Sequence, residues 1–116
     1  FGKISISNTN GDKMRKLNFK VDKQRLSKVG NFEHIVKGTK GFLQCVFSFD
    51  EENNWKDYNI VAVFEAGNVE CAVIVDNNTC IVPNEVTDLR CFKIRLIGIK
   101  ESQRITTNKE LIKQEE

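Results

Sequence analysis

Along this chain the apolar positions recur with a period of two. The run "LNFKV" (17–21) sets Leu17, Phe19 and Val21 on one face and polar residues on the other. "FLQCVFSF" (42–49) does the same with Leu43, Cys45, Phe47 and Phe49, and "VECAVIV" (69–75) with Val69, Cys71, Val73 and Val75. "CFKIRLIGI" (91–99) is the cleanest alternation, with Phe92, Ile94 and Leu96 opposite Lys93 and Arg95. "NIVAVFE" (59–65) is mostly apolar, "TCIVP" (79–83) is short, and "RITTNKELI" (104–112) is β-branched but weaker. Alternation of this kind predicts half-buried strands, and no long stretch carries the 3.6-residue period of an amphipathic helix.

Turn chemistry separates the runs: "KGTKG" (37–41), "EAGN" (65–68), "DNNT" (76–79), "PNE" (83–85) and "GIKESQ" (98–103). "VFEAGNVECAVIV" predicts a hairpin in which Gly67 takes a positive φ. Pro83 ends a strand, because it has no N–H for a ladder, and sits near the start of one helical turn in "PNEVTDL". About seven short strands joined by short turns predict an all-β fold, an antiparallel sandwich or barrel. Met14, the only methionine, follows a polar Asn/Gly/Asp stretch. It marks the expected start of the compact domain, residues 14–116, with 1–13 as an extended arm or added segment.

Length and composition leave this picture intact. A chain of 116 residues with 40% hydrophobic and 29% charged residues fits one domain with one core. A net charge of +2 does not by itself imply a nucleic-acid or membrane partner. No window reaches the length of an apolar membrane span. Basic residues gather between Lys13 and Lys28, with Asp22 the one acid among them. Only Phe19 is interleaved there, and it falls on the apolar side, so an edge strand whose lysines deter sheet pairing is expected rather than a single-strand nucleic-acid platform. The four cysteines, Cys45, Cys71, Cys80 and Cys91, have no C-x-x-C spacing. They read as reduced residues in or near the core of a protein made in a reducing cytosol, with a Cys71–Cys80 bridge as the alternative.

The stretch most suggestive of chemistry is "FSFDEENNW" (47–55), where Asp50, Glu51 and Glu52 precede the only tryptophan. A glycosidase needs two acids flanking one bond, whereas adjacent acids on an extended chain point alternately to opposite sides. A calcium loop spaces its oxygen ligands and needs a glycine for the turn, which "DEENN" lacks. A wet turn between strands is the plainer expectation, and no cofactor or metal is implied. Trp55 beside strands either closes the core or, exposed with Tyr58, forms a stacking platform for sugars. His34, the sole histidine, has neither a nucleophile elbow nor a reactive-cysteine signature to serve. "VKGTKG" precedes a strand rather than opening a helix, so it reads as a turn and not as a phosphate loop.

Taken in order, "LNFKVDKQRLSKVG", "IVKGTKGFLQCVFSFDEENNW", "AVFEAGNVECAVIVDNNTCIVPNEV", "FKIRLIG" and "RITTN" form a series. It resembles a β-sandwich domain family in structural proteins of bacteriophages that infect Gram-positive bacteria: baseplate, tail-fibre and head-fibre proteins. The shared pattern is F-x-V-D-x-Q-x-L, then V-x-G-[ST]-x-x-[YF]-L, an acidic turn ending in Trp, N-x-C-x-[IV]-P-x-E-V and a final R-I-T-T-N. It covers about residues 17–108. The chain departs from it at "NNWKDYN", where the family pattern has DW-x-G. The resemblance implies an immunoglobulin-like module of a virion, assembled in the host cytoplasm and without enzymatic activity. It implies other virion proteins as partners and a homo-oligomeric or multicopy state, with no nucleic-acid or membrane partner. The alternative is a host-adhesion module that binds a surface glycan through Trp55 and Tyr58. Expected contact residues are Phe1, Ile4, Ile6, Lys13, Arg15 and Lys16 near the arm, and Asp50, Glu51, Glu52, Trp55 and Tyr58 in the loop. The arm could pair with a neighbouring subunit by strand addition.

Overall fold

A computed structural model describes residues 14–52 and 54–116. The described chain is all-β, with nine strands in two sheets and one short 3₁₀ turn at Asn84–Val86. The strands are β1 (Arg15–Asp22), β2 (Arg25–Val29), β3 (Leu43–Phe49), β4 (Asn59–Ala66), β5 (Val69–Ile74), β6 (Thr79–Ile81), β7 (Cys91–Lys100), β8 (Gln103–Thr106) and β9 (Glu110–Lys113). One sheet runs β2-β1-β3-β6; the other runs β5-β4-β7, with β8 and β9 in succession along the far side of β7.

The alternating residues become the core. Leu17, Phe19, Val21, Leu43, Cys45 and Phe47 of the first sheet join Ala62, Phe64, Phe92, Ile94, Leu96 and Ile112 of the second in one buried cluster. Phe19 stacks on Phe47 with ring centroids 5.5 Å apart and meets Phe32 edge-on at 5.3 Å. Two layers sharing one core make a β-sandwich. The hairpin turn at Gly67 has φ +59°, as its sequence requires, and the 3₁₀ turn begins after Pro83. Asn77 and Asn78 both take positive φ, which asparagine tolerates better than most residues.

Three expectations are corrected. The first sheet is mixed, because β1 and β3 run parallel, Arg15 opposite Leu43 and Val21 opposite Phe49. Both neighbours of β1 thus lie on opposite flanks, β2 antiparallel and β3 parallel. Residues 30–42 must therefore pass the beginning of β1, and the Arg15 side chain holds them there. Its guanidinium donates to the carbonyls of Glu33 (2.6 Å), His34 (3.0 Å) and Asn31 (3.3 Å).

The strand number also exceeds seven. β2 buries only Leu26 and shows no apolar alternation, and "RITTNKELI" divides into β8 and β9. The division is a bulge. Ile97 faces Thr106, yet Ile94 faces Glu110, so Thr107, Asn108 and Lys109 lie opposite two residues of β7. Thr107 bridges the gap: its N–H donates to Leu96 O at 3.0 Å, and its Oγ1 accepts from Leu96 N–H at 2.9 Å.

Thirdly, the basic strand β1 is not an edge. It lies between β2 and β3, with Lys16 and Lys20 on its solvent face, and the sheet's edge strands are β2 and β6. The cysteines are all free. Cys80 faces Cys45 across β6 and β3, while Cys71 faces Phe64 on the other sheet, so a Cys71–Cys80 bridge does not form. Burial, and then the neighbouring Cys80, pushes the Cys45 thiol well above its ordinary pKa.

Candidate interaction surface

The two open sides of the sandwich are built differently. On the first, β2 runs beside the β8–β9 strand pair. The bulge at Thr107–Lys109 turns the Asn108 side chain across to the opposite sheet. There its Oδ1 accepts from Leu26 N–H at 2.7 Å and its Nδ2 donates to Leu26 O at 3.1 Å. A side-chain amide thus takes the place of a ladder residue. Gln24 Nε2 donates to Thr106 O at 3.1 Å, and Lys28 Nζ donates to Leu111 O at 2.9 Å. Residues 24, 26 and 28 lie two apart along the chain, so their outward groups recur along one edge. Three contacts thus tie β2 to the β8–β9 pair.

On the second side β5 is an edge of its sheet. Val75 N–H donates to Ile60 O at 2.9 Å, in register with the β4–β5 pairing. By alternation Val69, Cys71 and Val73 direct their backbone groups at β4, and Glu70, Ala72 and Ile74 direct theirs outward. No hydrogen-bond partner for these outward groups occurs among the described residues. The strand carries no proline or lysine, and Ile74 is 75% exposed. The outer face beside it is apolar at one end. Ile74 faces Val61, which faces Ile97, and Ile99 next along is exposed. At the other end Glu65 pairs with Lys109 at 3.0 Å, and Arg95 lies 3.8 Å from both Glu65 and Glu70. The hydrogen bond from Lys109, aided by the charges of Lys109, Arg95 and Lys93, holds the Glu65 carboxyl below its usual pKa.

The structure disperses the residues expected from sequence. Phe1, Ile4, Ile6 and Lys13 lie outside the described residues. Arg15 holds the 30–42 loop and so acts inside the fold, at the opposite end of β1 from the acidic turn. Lys16 lies on the solvent face of β1. Asp50 is half-buried at the end of β3 and its N–H donates to Val21 O at 3.2 Å; Glu51 and Glu52 are exposed beside it.

Trp55 is 2% exposed, which removes it as a sugar-stacking platform. Its Nε1–H donates to Lys23 O at 2.6 Å, and Phe49 packs on it with ring centroids 6.0 Å apart. Its indole fits because residue 98 is glycine: a Cβ there would lie 2.8 Å from Trp55 Cε3. Tyr58 is half-buried, donates its hydroxyl to Gln103 Oε1 at 2.9 Å, and lies under Lys100 Nζ at 5.7 Å. The glycan reading loses its aromatic pair.

His34 is an exposed loop residue at φ +61°, with Nδ1 3.1 Å from Glu115 Oε2. Beside it a hollow of about 670 Å³ opens between β2 and β9, lined in part by Lys28, Phe32, Lys113 and Glu115. No cluster of three or more potential metal ligands, and no helix long and apolar enough to cross a membrane, occurs among the described residues.

Sequence reasoning missed β5 as a surface feature. The signal was present in "AVIV" (72–75), since four consecutive apolar residues on a strand must send two to the outer face. Comparison with protein-family models, with curated proteins and with solved structures returns no match to this chain.

Proposed function

We propose that this chain is a non-enzymatic structural module of a bacteriophage particle, decorating or connecting parts of the virion as a capsid decoration, head fibre, baseplate or tail-fibre component. What supports the reading is the physical role of the motif series. Phe19, Val21 and Leu26 of F-x-V-D-x-Q-x-L are buried, and its Gln24 reaches Thr106. Asn108 of R-I-T-T-N closes on Leu26 from 82 residues away. Cys80, Val82 and Val86 of N-x-C-x-[IV]-P-x-E-V are core residues. The series therefore behaves as a scaffold signature, residues that hold one sandwich together, and not as the signature of a reacting site. The immunoglobulin-like assignment travels with the same resemblance. The partners are other particle proteins, and the surfaces offered to them are the β5 side and the exposed acidic turn at Glu51 and Glu52.

Mass spectrometry of particles purified from the source host tests this. The expected result is the chain present in many copies per particle, in constant ratio to the major coat protein. Its absence from washed, infectious particles sinks the reading.

A further inference from the structure

We infer that Cys45 and Cys80 form a dithiol switch, which closes to a disulfide between β3 and β6 when the chain passes from reducing to oxidising surroundings. The inference does not depend on the phage assignment; it follows from the register of the first sheet. Cys45 faces Cys80 across the antiparallel β3–β6 pair. Both side chains belong to the shared core, so they point to the same side of the sheet. The ladder sets their spacing. Phe47 N–H donates to Asn78 O at 2.9 Å, and Val82 N–H donates to Leu43 O at 3.0 Å. Hydrogen-bonded pairs recur at every second residue, so Cys45 and Cys80, midway between those two, form one as well. Such a pair places its Cα atoms about 5.5 Å apart, within the range of about 4.4–6.8 Å that disulfides span.

No other two of the four cysteines face each other across a ladder. Cys71 faces Phe64 in the second sheet, and Cys91 faces Lys113. On its other flank Cys45 faces Leu17 of β1. The two thiols already meet. Burial first, and then a hydrogen bond with Cys80, keeps the Cys45 thiol protonated. Closing the bond draws the two Cβ atoms to about 3.8 Å. β6 is the element that gives, because it is an edge strand of three residues with Pro83 close behind it.

Exchange with a small-molecule disulfide, RSSR, supplies the oxidation. Cys80 reacts first, because it lies on the edge strand and is 6% exposed, against 1% for Cys45. Its thiol gives a proton to solvent, and the thiolate attacks one sulfur of RSSR, forming a mixed disulfide and releasing RS⁻. Cys45 then gives up its proton and attacks the Cys80 sulfur. The protein S–S bond forms as the bond to the SR group breaks, and a second RS⁻ leaves. The two leaving thiolates take up the two protons, so two protein thiols are oxidised while RSSR is reduced to two RSH. The closed loop contains β4 and β5 of the second sheet, so the bond constrains the unfolded chain across both layers.

Glutathione redox buffers test the switch on the full, reduced chain. After incubation to equilibrium the protein is quenched in acid, its free thiols are alkylated, and peptide mapping locates the bonds. The expected result is a Cys45–Cys80 bridge in the native protein, reversed by dithiothreitol. The bridged form should melt about 8–16 °C above the reduced form. Cys91→Ala, which alters an exposed residue, should keep both the bridge and the rise in melting temperature, and Cys80→Ala should lose both. Native protein that carries glutathione on Cys91 while Cys45 and Cys80 stay free overturns the inference. So does a bridge that forms only in urea, one that joins other cysteines, one that lowers the melting temperature, or a rise that persists in Cys80→Ala.

Discussion

Removing the Asn108 amide should loosen the whole sandwich, although the residue itself is exposed. Its side chain is bonded to both backbone groups of Leu26, a residue with 0% exposure. In Asn108→Ala two hydrogen bonds go, and an N–H and a C=O at the sheet margin lose their partners. A net bond is worth about 1 kcal/mol and a stranded buried group costs about 1–3, so the loss should be about 2–4 kcal/mol. For a chain of this length that lowers Tm by about 8–16 °C, at about 4 °C per kcal/mol.

Urea unfolding followed by Trp55 fluorescence measures the difference, and a constant slope with denaturant verifies that both proteins expose the same surface. Asn108→Asp sharpens the test. Its carboxylate still accepts from Leu26 N–H but confronts Leu26 O, where the amide donated. Protonation restores a donor, so the carboxyl's pKa is raised on folding and the variant gains on the parent as pH falls through that raised value. Gln24→Ala and Lys28→Ala act at exposed groups and should each cost about 1 kcal/mol or less. If Asn108→Ala lies within about 0.5 kcal/mol of the parent, as ordinary surface substitutions do, the amide is not what closes that side.

Gly98→Ala should cost about 1–3 kcal/mol by overpacking, because its methyl would lie 2.8 and 2.9 Å from two Trp55 ring carbons and 3.3 Å from Tyr58 Cβ; a red-shifted tryptophan emission checks that the indole is what moves. Alkylation of the native protein should label the exposed Cys91 first and Cys45 only after unfolding, since Cys45 is both buried and held protonated, and peptide mapping reads the order. Glu65 has a lowered carboxyl pKa in the fold, so its contribution to stability is present at neutral pH and is lost as pH falls through that lowered value. Lys109→Met should therefore unfold more easily than the parent near neutrality, with the gap shrinking in acid; a gap that is independent of pH refutes the pairing as its source.

Where burial follows local alternation, the fold was legible. Leu17, Phe19 and Val21, or Phe92, Ile94 and Leu96, announce their inner face in five residues. β2 could not be read that way, because what holds it is the Asn108 amide and not an apolar stripe. The parallel pairing of β1 with β3 was equally hidden, since parallel and antiparallel strands alternate alike. It depends on the path of residues 30–42, which Arg15 pins from a distance. Trp55 stood undecided between core and platform because the decision lies with Gly98, 43 residues on, where only a missing Cβ leaves room. The acidic turn at 50–52 was correctly read as wet at Glu51 and Glu52, and the β5 edge went unread because its face had been judged by its inward residues alone.

The Leu26–Asn108 closure also sets an order of events during synthesis. β2 leaves the ribosome early, yet the residues that cover its edge, 106, 108 and 111, are among the last of this stretch to be made. The β1–β2 hairpin can therefore form long before it can be covered. Until Asn108 emerges, a growing chain displays a strand edge that neighbouring chains on the same message could also capture. Lys28 and Arg25, both exposed on that edge, would keep such nascent neighbours apart by like-charge repulsion.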